Sequence, residues 1–517
     1  MTRKALVILS IIVVTVLVLA ACGGEDPTPT PAPTATAVPT AAPEPTATEP
    51  PPAVEPEATE APQEEAAAEA EATAEPEAEA TAEPEAEAEA TAEPEAEAEA
   101  TAEPEAEAAA AVTAAVLTVE AARPVYEIVN EKDPVMPSIS PDGSHLAWIQ
   151  STKTGLFRSV GQVCFFTFEN AAKSCYDAPE EFYGYPYQLY WLPDSSGIVV
   201  TENPITLGYE SDVWVVNFAD GAFANRTDDG VAGSWVTLEQ PTLDYLPMPS
   251  ASDGMIYFWR GVPLGDYQYS IGIFRVSPVE GEAELVRDLS TIFSTQVPVF
   301  NQDTLSMDSI SSISPDGTTV AVSMSDLAAE TTDDAPPANS IWLIPVADPT
   351  AEITQVMSPQ DLQKGTPAYL AVPAAPVGLS WTADSAAIVV NTFANDTHAP
   401  LQVYYYVDVA AGASTPVVDF TTTTSHEELY AVPESGVPLR YYSPWTASLA
   451  SDNLSLLMYS DLGGVGTVFQ AMFPPDGTLP PSIATADTPP LSGATRSSRA
   501  SDGKVVMYGV LFTTVPQ

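Results

Sequence analysis

The stretch Ser138-Ile139-Ser140-Pro141-Asp142-Gly143-Ser144-His145-Leu146-Ala147-Trp148 returns as Ser312-Ile313-Ser314-Pro315-Asp316-Gly317-Thr318-Thr319-Val320-Ala321-Val322. In both copies proline presets φ, the aspartate side chain can accept backbone N–H bonds within the turn, and glycine supplies the positive φ that closes it. Each copy therefore predicts a hairpin. Looser copies are Tyr190-Trp191-Leu192-Pro193-Asp194-Ser195-Ser196-Gly197, Leu379-Ser380-Trp381-Thr382-Ala383-Asp384-Ser385, Leu449-Ala450-Ser451-Asp452-Asn453 and Ser498-Arg499-Ala500-Ser501-Asp502-Gly503-Lys504-Val505, with a weaker one at Ser250-Ala251-Ser252-Asp253-Gly254-Met255-Ile256. Many are followed by further strands, such as Asp212-Val213-Trp214-Val215-Val216-Asn217, Gly272-Ile273-Phe274-Arg275-Val276, Ser340-Ile341-Trp342-Leu343-Ile344 and Val403-Tyr404-Tyr405-Tyr406-Val407-Asp408. Hairpin plus outer pair makes a four-stranded unit of about 40 to 70 residues, a period close to that of propeller blades.

These copies resemble the WD-like repeats of TolB-type bacterial β-propellers, a resemblance that covers most of residues 120–517. The expected fold is all-β, a propeller of about seven four-stranded blades, with six or eight as alternatives. The last hairpin lacks outer strands, which Ala115–Glu120 and Val125–Val129 could supply. That closure would leave no open sheet edge.

Working outward, residues 112–517 hold 46 acids, 14 bases and all 44 aromatic residues, whereas residues 1–111 hold 25 acids, 2 bases and no aromatic. A segment without aromatics cannot bury enough apolar surface to offset its ordering entropy. Thr2, Arg3 and Lys4 precede a mainly apolar run from Ala5 to Ala21, the anatomy of an export signal. The run ends in Leu19-Ala20-Ala21-Cys22, which resembles a bacterial lipobox; the resemblance implies cleavage before Cys22 and acylation of its thiol. An uncleaved transmembrane helix is the alternative, at the short edge of the lengths that span a bilayer. The expected organisation is a lipoprotein signal peptide over 1–21, a lipidated Cys22 with an acidic Pro/Ala/Glu/Thr stalk over 22–111, and the propeller over 112–517. In the stalk, Thr-Ala-Glu-Pro-Glu-Ala-Glu-Ala recurs from Thr73, Thr81, Thr91 and Thr101, and its prolines interrupt helix while its glutamates repel one another. An extended tether is the expected state; the alternative is a stalk that binds a cationic partner or carries sugars on its threonines.

The whole chain carries a net charge of −55, and the C-terminal part −32. Nucleic acid is excluded as a partner class because phosphate binding needs clustered cations. Cys164 and Cys175 stand symmetrically about a turn at Glu169-Asn170, which predicts a disulfide across a hairpin in an exported protein, with metal binding as the weaker reading. Catalytic vocabulary is sparse. His145, His398 and His426 fall in different blades, no Gly-x-Ser-x-Gly elbow occurs, and His426-Glu427-Glu428 lacks the second histidine of a helical zinc site. His145 reads as surface decoration. The repeated aspartates read as turn caps on one rim rather than a ligand ring, and Asp228-Asp229 and Asp333-Asp334 as solvated loop charge rather than calcium ligands. Neither a catalytic residue nor a cofactor or metal is assigned.

The TolB-type resemblance implies that ligands meet the face opposite the aspartate turns. Mapped here, that face includes Phe182, Tyr183, Tyr185, Tyr187, Glu239, Asp244, His398, Arg440, Tyr441 and Tyr442. Tyrosines near a few charges suit peptide or sugar recognition; packing between blades is the equally weighted reading for residues 182–187, and Tyr404–Tyr406 read as packing. The expected function is a monomeric cell-envelope lipoprotein, held on the membrane through Cys22 on the outer face of the cytoplasmic membrane or otherwise extracytoplasmic, that displays a non-catalytic module binding an envelope protein, peptide or glycan. The rival classes are a propeller-based hydrolase or lyase and a structural TolB-like assembly module.

Overall fold

The computed structural model describes residues 115–517 apart from 133, 155–158, 180, 183–186, 202–210, 231–241, 266–267, 291–295, 299–310, 327–338, 368, 371–374, 395–400, 433–435, 445, 461–465 and 487–496. The signal-peptide, Cys22 and stalk readings lie outside these residues. After β1 (Leu117–Pro124) the strands form seven blades in a ring. Blade 1 holds β2 (Val135–Ile139), β3 (His145–Thr154), β4 (Ser159–Thr167) and β5 (Ala172–Asp177). Blade 2 holds β6 (Tyr187–Trp191), β7 (Gly197–Thr201), β8 (Val213–Asn217) and β9 (Phe223–Asn225), and blade 3 holds β10 (Leu243–Pro249), β11 (Ile256–Gly265), β12 (Gln268–Val276) and β13 (Glu284–Asp288). In blade 4, β14 (Gln296–Pro298) and β15 (Ser311–Ile313) both pair with β16 (Thr319–Asp326), followed by β17 (Asn339–Pro345) and β18 (Thr354–Met357). Blade 5 is β19 (Ala375–Trp381), β20 (Ala387–Ala394), β21 (Leu401–Asp408) and β22 (Ala413–Pro416); blade 6 is β23 (Thr446–Leu449), β24 (Ser455–Ser460), β25 (Gly466–Met472) and β26 (Ser482–Ala486). Blade 7 is β27 (Ser498–Arg499), β28 (Lys504–Met507), β29 (Val510–Pro516) and, outermost, β1.

All seven copies of the turn phrase fall between the first and second strands of a blade, so the repeat marks the innermost hairpin. The turn is built as its residues demand. Ser140 Oγ donates to Asp142 (2.6 Å) and accepts the His145 N–H (2.9 Å), while Asp142 accepts the Ser144 N–H (3.0 Å). Ser314 with Asp316 and Thr382 with Asp384 repeat the pattern. The left-handed position belongs to glycine in four copies, Gly143, Gly254, Gly317 and Gly503, and to Ser195, Ser385 and Asn453 in the other three.

The apolar core lies in the seams between blades. Phe165, Trp191 and Trp214 fill seam 1–2; Val199, Val215 and Phe258 seam 2–3; Trp259, Val322 and Met324 seam 3–4. Tyr405, Met458 and Phe469 belong to one core running from blade 4 to blade 6, and Tyr459 and Phe512 close seam 6–7. Because sheets are covered on both faces, β7 and β24 are buried at every position. Hence the sequence shows apolar runs rather than alternation. The loose copies couple neighbouring blades: Trp191 Nε1 donates to Ser138 O (3.2 Å) and Ser195 Oγ accepts the Asp142 N–H (3.3 Å), and Trp381 and Ser385 make the same two bonds to Ser312 O (2.9 Å) and Asp316 N (3.1 Å). Blade pairs 1–2 and 4–5 are thus built alike.

Closure departs from expectation in one element. Leu117–Pro124 is the outer strand of blade 7, but the third strand is Val510–Pro516, and Val125–Val129 is a one-turn helix rather than a strand. Its β-branched residues suggest a strand, yet Val125 and Val129 stand four apart and are both buried in seam 7–1, with Asn130 at φ 50° ending the turn. Seven positions of β1 pair with β29, from Leu117↔Pro516 to Pro124↔Val510. The buried Gln470 of blade 6 accepts the Leu117 N–H (2.9 Å) and donates to Ala115 O (2.9 Å), fixing the start of β1.

Seam 7–1 is also joined at its turns. Ser501 N donates to Pro141 O (2.9 Å), Lys504 Nζ to Gly143 O (3.0 Å), and a Cβ on Gly143 would run into the Asp502 carboxylate. Gly143→Ala should therefore cost about 2 kcal/mol or more, whereas Gly254→Ala, at similar φ but facing open space, should cost only the backbone penalty of about 1 kcal/mol. Urea unfolding of the two variants checks the difference. Equal losses would deny the close approach of Asp502.

Cys164 and Cys175 are directly opposed on β4 and β5 and form a disulfide, as their symmetric spacing predicts. Cys164 is buried in seam 7–1. Closing so short a loop stabilises by about 2–3 kcal/mol, so the Cys164→Ala/Cys175→Ala double variant should melt several degrees lower, and a reductant should lower the melting temperature of the parent alone.

Candidate functional site

The two faces of the disc differ in chemistry. The first carries the aspartate turns, whose carboxylates are engaged by their own hydrogen bonds. Burial would raise Asp142, but bonds from Ser140 and Ser144 outweigh it and hold the carboxyl at about 2. Asp194 and Asp384 are likewise depressed, mainly by bonds from Ser196 and Thr382, and Asp316 by bonds from Ser314 and Thr318 that overcome burial. These groups cap turns, as read from the sequence. His145 corrects its reading: rather than decorating the surface, its ring packs 4.0 Å from Phe218 and 6.3 Å from Trp191, between blades 1 and 2, with Nδ1 3.2 Å from Thr167 Oγ1. A histidine opening a strand beside the next blade's turn is pressed inward by that blade.

The opposite face is where the residues preceding each inner strand lie. Tyr183, Tyr185, Glu239 and His398 fall outside the described residues, as do Asp333 and Asp334 and the side chain of Tyr187. The others are placed. Phe182 is buried against Trp214 and Phe223 in seam 1–2. Tyr404 and Tyr405 are buried and Tyr406 half-buried, in keeping with their reading as packing. Arg440 is buried at 3 % exposure in a short 3-10 turn, Leu439–Tyr442, and donates to Ser443 O; Tyr442 packs against Phe469 with the rings tilted and 4.6 Å apart, while Tyr441 is half-buried beside the blade 4–6 core. Ser443 Oγ in turn accepts the Gln402 N–H (2.7 Å), and Tyr404 Oη donates to Gln402 Oε1 (3.1 Å), so this turn is wired into blade 5.

Asp244, in β10, is the most constrained of the candidates. At 1 % exposure it receives a two-pronged guanidinium from Arg260, Nε to Oδ1 at 2.7 Å and Nη2 to Oδ2 at 2.6 Å. Asp244 and Arg260 are register partners on β10 and β11. Burial opposes the charge on Arg260, but its bonds to Asp244 outweigh burial and raise its pKa. The guanidinium also lies about 5 Å over the rings of Phe258 (5.3 Å) and Phe274 (5.2 Å). Next to the pair, Asp212 at the start of β8 accepts from Asn225 Nδ2 (2.7 Å) and Thr227 Oγ1 (3.3 Å). Burial pushes the Asp212 carboxyl up to about 6, with Asp244 and Asp229 adding to the rise and the Asn225 and Thr227 bonds restraining it.

The candidates do not form one cluster. Asp244 belongs to blade 3 and Arg440–Tyr442 lead into blade 6, on different parts of the ring. Sequence reasoning missed Arg260, Asp212 and Thr227. A cation inside the aromatic run Phe258-Trp259-Arg260, at the register position facing Asp244, was the available signal. Among the described residues no group of three or more His, Cys, Asp or Glu side chains is placed to hold a metal ion, and no helix is long and apolar enough to cross a membrane.

No protein-family model and no curated protein matches this sequence. Solved structures do resemble it. Hydrazine synthase of Kuenenia stuttgartiensis matches at 14 % identity over 74 % of this chain and 96 % of its own, with a TM-score of 0.44. TolB from Acinetobacter baumannii matches at 11 % identity over 55 % of each chain, TM-score 0.31, and the β-propeller domain of the trilobed protease from Pyrococcus furiosus at 10 % identity over 69 % of this chain and 86 % of its own, TM-score 0.35. Likenesses this distant carry no functional weight, and the propeller architecture stands on the strand pairing itself.

Proposed function

We propose that this chain is a cell-envelope lipoprotein that displays its propeller as a non-catalytic module for binding an envelope protein, a peptide or a glycan. One observation carries the reading: β1 enters the disc at the face of the aspartate turns. Leu117 pairs with Pro516, and Thr514 N donates to Gly503 O (2.9 Å) at the last of those turns. The described chain thus begins at the face of the aspartate turns, and the binding role falls to the opposite face, where the TolB-type resemblance places ligands. The Cys164–Cys175 disulfide supports an oxidising, extracytoplasmic setting.

Mass spectrometry of the mature chain tests the anchor: an acylated Cys22 as the N-terminus is expected, and an intact Met1 would refute it. Crosslinking followed by affinity purification of the full chain from envelope preparations tests the binding role, with glycan arrays alongside. A specific partner whose crosslinks map to the face opposite the turns is the expected result. Turnover of a peptide or polysaccharide, abolished by a chelator, would replace the reading with a metal-dependent hydrolase or lyase.

A further inference from the structure

The repeat reserves the third residue before each turn aspartate for a buried side chain. Ile139, Trp191, Ser250, Ile313, Trp381 and Leu449 stand there in blades 1 to 6, and all of them are buried. Blade 7 carries Arg499 at this position, half-buried at the end of β27. Where Trp191 and Trp381 bond only to the preceding blade, Arg499 leans further: Nη1 points to Ala450 O of blade 6 (3.3 Å) and Nη2 to Trp381 O of blade 5 (3.5 Å). A side chain that touches the inner-strand ends of two successive blades lies on their axial side, at the mouth of the central channel on the face of the aspartate turns. Its bonds there are weak. Both exceed the roughly 2.7–3.2 Å of a full N–H···O bond, and Ala450 O already accepts the Asn453 N–H (3.0 Å). Among the described residues no carboxylate pairs with this guanidinium. Loss of water lowers its pKa to about 10, with the Asp452 charge working the other way, so it stays charged at neutral pH. The turn it leans on lacks a donor in its own right. Blade 6 has Ala450 where Ser140, Ser314 and Thr382 donate to their aspartates, and the buried Asp452 Oδ2 has no hydrogen-bond partner, while Oδ1 accepts the Leu454 N–H (2.9 Å).

We propose that Arg499 and the Asp452 turn form a binding site for a peptide carboxylate at the turn-face mouth of the central channel. A guanidinium presents the planar fork that matches the two oxygens of a carboxylate, and contacts as long as those to Ala450 O and Trp381 O are readily exchanged for such a pair. The bound carboxylate gives Arg499 the counter-charge it lacks. An amide N–H beside that carboxylate gives Asp452 Oδ2 the missing donor, which is why a peptide suits the site better than a bare anion. The carboxylate can belong to a chain end or to an aspartate or glutamate side chain. This site lies on the face opposite the proposed binding face and does not depend on that reading.

The test is an NMR titration of the full chain at millimolar probe, in about 0.15 M salt so that repulsion from the acidic surface is confined to about 8 Å. The probes are acetyl-Ala-Ala with a free C-terminus, its C-terminal amide, acetyl-Ala-Glu-Ala amide, and acetate. The Arg499 Nε–H resonance of the unmodified protein should shift with the first or the third probe and stay still with the second. Which of the two acts tells a chain end from a side chain. Arg499→Met should weaken binding of the active peptide about tenfold or more, the loss of a charge-assisted pair, and Arg499→Lys should recover only part of it. Asp452→Ala should weaken the peptide relative to acetate. Because the resonance is read on the unmodified protein, the outcome stands even if a variant fails to fold. No shift with any carboxylate probe, an equal shift with the uncharged amide, or acetate binding as tightly as the peptides would overturn the proposal.

Discussion

A chain lacking residues 117–124 should lose its cooperative thermal transition and become protease-sensitive throughout the propeller. The deletion strips seven paired positions from β29 and removes the buried Leu117, a side chain whose truncation alone costs about 2–5 kcal/mol. It also takes the Leu117 N–H from the buried Gln470 amide and frees Ala115, its other chain-start partner, from the strand that holds it in place, at about 1–3 kcal/mol. Together these losses reach the lower end of the roughly 5–15 kcal/mol by which domains are stable. Circular dichroism melts and limited proteolysis read the outcome, with Leu117→Ala as the graded case, expected to stay folded at reduced stability. A deletion variant that melts like the parent would show that the ring does not depend on β1.

The second large effect is expected at Arg260. Arg260→Met should destabilise by about 3–5 kcal/mol, because it leaves the Asp244 carboxylate buried without its two-pronged partner. Replacing both, as Asp244→Asn with Arg260→Met, should restore more than half of the loss, since no uncompensated charge then remains. Arg260→Lys should rescue little, as an ammonium cannot supply the planar fork. Urea titrations of the three variants distinguish a charge-pairing role from simple volume: if Arg260→Lys were as stable as the parent, the fork would not matter.

The blades were legible because their inner turns have a chemistry that spells itself. Serine, aspartate and glycine each make a local bond or adopt a local φ, so the phrase survives even where Ser195 or Asn453 stands in for glycine. Long-range partners leave no such trace. Nothing near Val125 announces that it will face seam 7–1, and Val125-Tyr126-Glu127-Ile128-Val129 reads as a strand until that contact bends it into one helical turn. The binding face was the least legible part. The resemblance places residues on a face but cannot say which side chains turn inward, and Phe182, Asp244, Arg440 and Tyr442 proved to be internal. A charged residue before an inner strand can serve the seam as readily as a ligand.

The pairing of Leu117 with Pro516 also sets a timetable. The first strand of the disc to be synthesised has its partner at the far end of the polypeptide, so blades 1 to 6 must wait for blade 7 before β1 can dock. Such distant contacts slow folding and prolong the exposure of unpaired strands. Until Val510–Pro516 has been made the ring stays unclosed, and only its pairing with β1 completes it.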